Sequence, residues 1–181
     1  MIIFINGPFG VGKTTVAERL AQRIPNSLLF DAEEVGYFLR KVVAPIEKPD
    51  DFQHLPLWRA LTVTTARGLQ ERYGRTLIMP MTIWRAAYFD EVIGGLRAFE
   101  PDLYHFCLTA TEQTLHARLR GRGDRPEVFA WCWEQAQHCL PAFQSPAFAV
   151  HIATDGKTPA ALVEEILARL PARKTGLSAS P

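Results

Sequence analysis

The apolar run Ile2-Ile3-Phe4-Ile5 leads through Asn6 into Gly7-Pro8-Phe9-Gly10-Val11-Gly12-Lys13-Thr14, and no other stretch constrains the fold as tightly. A short, fully apolar run reads as a buried strand. The octapeptide satisfies G-x-x-x-x-G-K-[ST] without a mismatch. After Lys13, apolar residues at Val16, Ala17, Leu20, Ala21 and Ile24 keep a helical period, and Pro25 stops it. Strand, glycine-rich loop and helix in that order make a phosphate cradle. The glycines let backbone N–H groups turn inward, and the helix contributes the positive end of its dipole. The expected nucleotide contacts are Gly7, Phe9, Gly10, Val11, Gly12, Lys13, Thr14 and Thr15. Lys13 would act catalytically by reaching the β- and γ-phosphates of ATP, and the Thr14 hydroxyl would sit on Mg²⁺.

The same alternation continues along the chain. Apolar runs at 28–30, 77–79, 103–108 and 150–153 read as four more strands. Between and after them, 33–43, 57–73, 87–99, 111–122, 127–140 and 159–170 read as helices, with a proline-rich irregular insertion at 46–57. Five apolar runs alternating with helices predict an α/β fold, a five-stranded parallel sheet covered on both faces. A length of 181 residues allows one domain. We assign it to 1–170, with a short lid at about 121–130 and a flexible tail at 171–181.

Charge and cysteines narrow the partners. Twenty basic against nineteen acidic side chains leave a net charge of +1, which supplies no field for gripping nucleic acid. No stretch approaches the ~20 apolar residues of a membrane span, although peripheral association stays open. Cys107, Cys132 and Cys139 form no Cys-x-x-Cys pair and fit a reducing cytoplasm. Cys132, His138 and Cys139 do not match zinc-ligand spacing. An Asn-Lys-x-Asp guanine motif is missing, and no strand ends in Asp-Glu as an AAA-type or motor ATPase would have it. Size and missing motifs favour a small-molecule kinase.

Candidate chemistry outside the loop centres on three groups. Asp31, after the second apolar run, is either a general base taking the proton of a substrate hydroxyl or an N-cap for the next helix. Arg118 and Arg122 share a helix face. They are either a lid pair, one stacking on adenine and one neutralising the transferring phosphate, or a solvated helix end. The Thr154-Asp155-Gly156-Lys157 turn either wraps adenine or simply enters a helix. Phe52, Gln53, Trp58, Arg59 and Thr82, with Asp31, are the candidate acceptor contacts, although each aromatic could equally be core.

Ile5 to Thr14, Asp50-Asp51-Phe52-Gln53, Pro56-Leu57-Trp58-Arg59 and Pro80-Met81-Thr82-Ile83 resemble the tunicamycin-resistance protein family. The likeness continues through His105-Phe106, Leu108-Thr109 and 115–122, and covers roughly residues 1–168. The resemblance implies the P-loop NTPase fold of the nucleoside and shikimate kinase type. It also implies an ATP- and Mg²⁺-dependent phosphotransferase acting on a hydroxyl of tunicamycin or a related nucleoside. Two other readings of the same resemblance are a protein that only sequesters the drug and a housekeeping nucleoside or sugar kinase. Asp31 and the arginine pair favour transfer, because binding alone needs neither.

Overall fold

The computed structural model describes residues 1–171; of the expected tail, all but Pro171 lies outside that range. Strand β1 (Ile2–Asn6) is buried along its whole length, so it must be covered on both faces. Its side chains alternate. Ile2 and Phe4 join Leu77, Met79, Trp58, Phe89 and Leu96 in one core layer, whereas Ile3 and Ile5 join Ile78, Val16, Leu20, Leu162 and Ile166 in the other. This period-two division assigns helices to the two faces. Helices α3 (Pro56–Tyr73) and α4 (Ala86–Arg97) supply the first layer, and α1 (Lys13–Arg23) and α7 (Pro159–Leu167) the second.

The remaining strands are β2 (Ser27–Leu29), β3 (Thr76–Pro80), β4 (Leu103–Thr109) and β5 (His151–Ala153). The sheet is entirely parallel in the order β2-β3-β1-β4-β5. Ile3 lies in register between Ile78 and Tyr104. The chain leaves β1 towards one edge, returns to β3, and then crosses to β4. The carboxyl end of β1 is therefore the topological switch point, where open sheets of this kind form their crevice.

Helices α2 (Glu33–Val43), α5 (Glu112–Arg120) and α6 (Pro126–Ala142) complete the set. The expected lid resolves into an exposed turn at 121–125 and the first turn of α6. The insertion holds a 3₁₀ turn, Phe52–His54, capped by the Asp51 carboxylate. Gly94-Gly95, a weakness in the sequence pattern of α4, marks a close approach: a Cβ on Gly95 would lie 2.9 Å from the Val63 side chain of α3. Among the described residues no helix is long and apolar enough to cross a membrane.

Candidate active site

The loop after β1 is held from both sides. Asn6, fully buried, accepts the Gly7 N–H and the Ile83 N–H on its Oδ1, each at 2.9 Å, and donates its Nδ2 to Ile83 O at 2.9 Å. The Gly7 carbonyl accepts from Thr82 Oγ1 at 2.9 Å. Gly7 adopts a φ of 140°, and a Cβ there would lie 2.4 Å from the Leu108 carbonyl, so only glycine fits. Helix α1 starts at Lys13 without a side-chain cap, leaving its first N–H groups free for an anion.

Lys13 Nζ donates to Pro8 O at 3.0 Å. Burial lowers its pKa to about 8, against the opposing pull of Glu33. A cation beside uncapped helix amides is a site for phosphate.

A cavity of about 470 Å³ opens over this loop. Its floor is Gly10, Lys13 and Thr14. Phe52, Gln53 and Thr82, three of the expected acceptor contacts, line its wall. Gln53 Nε2 donates to Thr82 O at 2.8 Å, so one hydrogen-bonded path runs from the acceptor wall through Thr82 to Gly7. Phe52 is braced by Trp58 at 5.4 Å and lies beneath the Arg40 guanidinium at 5.1 Å.

A second cavity of about 370 Å³ lies on the other side of the loop, among Val11, Gly12, Thr15, Val16, Arg118 and Lys157. Arg118 donates to Val11 O, Thr154 Oγ1 and Thr154 O at 3.1, 2.8 and 3.0 Å. It thereby ties the loop to the turn before α7. Arg122 and Gly10 line both cavities, which puts the Arg122 side chain at the junction.

Three expected acceptor residues sit elsewhere. Trp58 is wholly buried and donates its indole N–H to Ala32 O at 3.0 Å, a core role that leaves no face for a ligand. Arg59, also buried, is bound to Glu91 and to Gln53 O; it supports the acceptor wall from behind. Asp31 follows β2 by two residues, because this edge strand ends at Leu29. Its Oδ1 accepts the Glu33 N–H at 2.9 Å, the capping interaction, and it does not line the cavity.

Glu33 does line it, together with Tyr37 and Arg40. The Tyr37 hydroxyl donates to Glu33 Oε2 at 3.0 Å, and burial plus that carboxylate push the phenol up to about 12. Trp131, Cys132 and Gln135 of α6 close the opposite side. Sequence reasoning passed over both sets, although 33/37/40 and 128/131/132/135 have the spacing of a single helix face. Among the described residues no cluster of three or more His, Cys, Asp or Glu can hold a metal ion. A magnesium ion carried on phosphate oxygens needs no such cage, and the Thr14 hydroxyl on the cavity floor fits that mode.

The whole chain is similar to the tunicamycin resistance protein of Deinococcus radiodurans, at 28% identity and a TM-score of 0.76, over 99% of this chain and 98% of that one. A gluconokinase from Sinorhizobium meliloti matches at 24% identity and a TM-score of 0.64, over 96% and 93% of the two chains. Shikimate kinase from Acinetobacter baumannii matches at 17% and 0.58, over 93% and 91%. The latter two establish the fold alone. No curated protein matches in sequence. A family model described as AAA domain matches residues 2–138, although β3 ends in Pro80 and lacks the acidic pair whose absence had argued against AAA-type proteins. Nucleotide binding follows from that match and from the loop. With most of its length matched, the chain belongs to the AAA domain family of nucleotide-binding proteins, and within it carries the fold of the small-molecule P-loop kinases.

Proposed function

We propose that this protein transfers the γ-phosphoryl group of ATP to a hydroxyl group of tunicamycin or a related nucleoside. The observation that carries the reading is the shared cavity: Lys13 and Thr14 of the phosphate loop form one surface with Glu33, Phe52, Gln53 and Thr82. The acceptor class rests on the 28% identity to the tunicamycin resistance protein. The adenine would lie on the Arg118 side and the acceptor on the Glu33 side, with Arg122 between them.

In this account the acceptor oxygen attacks the γ-phosphorus as the bond to the β–γ bridging oxygen breaks, and ADP leaves. The acceptor proton passes to a carboxylate. Of the two candidates, Glu33 faces the cavity, and its second oxygen, Oε1, is the one not bound to Tyr37; Asp31 fixes the Glu33 backbone. We therefore give proton acceptance to Glu33 and the capping role to Asp31. Lys13 and Arg122 neutralise charge on the equatorial oxygens. Magnesium, held by the Thr14 hydroxyl and phosphate oxygens, would offset the remaining negative charge.

Incubation with ATP, Mg²⁺ and tunicamycin, followed by mass spectrometry of the drug, tests the reading. The expected result is a gain of one phosphoryl group that is lost with Lys13→Ala. Drug that binds but returns unmodified would instead support sequestration.

A further inference from the structure

Helix α2 has three faces. Glu33, Tyr37 and Arg40 line the acceptor cavity, while Gly36 and Leu39 are buried and Val35 packs against the core. The third face carries Glu34, Phe38, Lys41 and Val42, all exposed, at the i, i+4, i+7, i+8 spacing of one side of a helix. The stripe continues past the helix end to Ile46, whose N–H donates to Val43 O at 2.7 Å, so the chain keeps turning there. Phe38 is 58%, Val42 55% and Ile46 88% exposed. A single exposed apolar side chain needs no explanation, but a row of three, one turn apart, is the kind of patch that marks an interaction surface.

Charge along the stripe selects the partner. Acidic residues stand in the first turn of α2 and basic ones in the last. On the exposed face these are Glu34 and Lys41, with Phe38 between them. Beyond the helix, Glu47 and Lys48, both exposed, add one charge of each sign. The stripe therefore has no net charge, which gives an anionic lipid surface nothing to attract. A face with an acid at one end and a base at the other is matched by the same face reversed. When two α2 helices run antiparallel about a two-fold axis at Phe38, Glu34 of each copy faces Lys41 of the other. The two Phe38 rings then meet at the axis, Val42 and Ile46 flank them, and the helix dipoles oppose one another. Among the described residues neither Glu34 nor Lys41 is held in an ion pair within the chain, so both charges are available to a second copy.

We infer that this face of α2 is the interface of a homodimer, in which two copies pack their α2 helices antiparallel about Phe38. Such a contact is isologous, so each pairing occurs twice. Glu33 and Tyr37 stand on the same helix, and the dimer would brace one wall of each acceptor cavity without adding a residue to it. The inference is independent of the chemistry proposed for that cavity.

The test is analytical ultracentrifugation of the full chain at low salt, up to about 0.5 mM. The unaltered chain should pass from monomer to dimer as its concentration rises. Phe38→Glu should leave only monomer over that range. Glu34→Lys and Lys41→Glu each set like charges face to face at both ends of the interface, and each should raise the dimer Kd about tenfold or more. Mixed in equal amounts, these two variants should form a heterodimer about as tight as the parent dimer, because every facing pair is then opposite in sign. The double variant Glu34→Lys/Lys41→Glu should recover the dimer on its own. All of these positions are exposed, and thermal melting followed by circular dichroism would show that each variant is folded. A chain that stays monomeric throughout would overturn the inference, whether or not it binds phosphatidylglycerol vesicles through Phe38. A dimer that survives Phe38→Glu would place the interface elsewhere. A dimer indifferent to the charge reversals, or single variants that do not recover on mixing, would equally overturn the antiparallel pairing.

Discussion

Burial brings the Lys13 ammonium down to about 8 from an ordinary 10.5, so the charge that grips phosphate is conditional on pH. Bound phosphate favours the protonated form. Above about pH 8 the free protein has shed that proton, and binding must take one up. ATP affinity should therefore be flat just below pH 8 and fall by up to about tenfold per unit above it. Calorimetry in buffers of different ionisation enthalpy would detect the uptake. Stability has the opposite sign: the unfolded chain holds the proton up to about 10.5, so apo stability rises with pH between the two values. Affinity that stayed constant well above pH 8 would contradict this. In the first turn of α2, Glu33→Gln should lower kcat by about 10²–10⁴-fold with little change in Tm. Asp31→Asn keeps an oxygen for the Glu33 N–H, and its rate should fall by far less. The reverse order would return the proton-accepting role to Asp31. Asp31 stood out in the sequence because it follows an apolar run. Glu33 did not, because a glutamate in the first turn of a helix is commonplace.

At the level of elements, α5 and the turn after it send two arginines to different work: the helix ends at Arg120 rather than at 122 as its sequence pattern predicts, so Arg118 lies on the helix and Arg122 in the exposed turn. Arg118 is already bound to Val11 and Thr154, whereas Arg122 is exposed at the junction of the cavities. Arg122→Ala should reduce kcat more than ATP affinity, since a charge developing in the transition state loses its partner. Arg118→Ala should act mainly on ATP affinity, by releasing the loop from the turn before α7. Neither constant moving by more than about twofold in either variant would reduce the pair to a solvated helix end. The clamp between the phosphate loop and the β3–α4 connection makes a separate prediction. Asn6→Ala leaves the buried Gly7 and Ile83 N–H groups without a partner and should cost about 2–5 kcal/mol of stability, read as a lowered denaturation midpoint. Thr82→Ser keeps the bond to Gly7 O and should be nearly silent. Neither contact was legible in the sequence, because each joins residues 75 to 77 positions apart. Trp58 and Arg59 erred in the other direction. An aromatic and an arginine opening a helix give the same local pattern whether they face a ligand or the core, and packing of α3 against the sheet turned both inward.

For the whole molecule, periodicity alone specified five parallel strands and the helices that cover them. What it left open was strand order, since every run is similarly apolar and each crossover can be placed on either side of β1. The order β2-β3-β1-β4-β5 is what brings the phosphate loop, the start of α2, the end of β3 and the face of α6 to one end of the sheet. That convergence is the basis of the central claim, that donor and acceptor meet in one cleft and that the phosphoryl group passes between them. The most direct test is the stoichiometry of ADP and phosphorylated acceptor, followed together by ³¹P NMR with ATP, Mg²⁺ and tunicamycin. The account predicts one phosphorylated acceptor for each ADP, and little ADP when the acceptor is left out. ADP formed at the same rate with and without the acceptor, while tunicamycin stays unmodified, would contradict it.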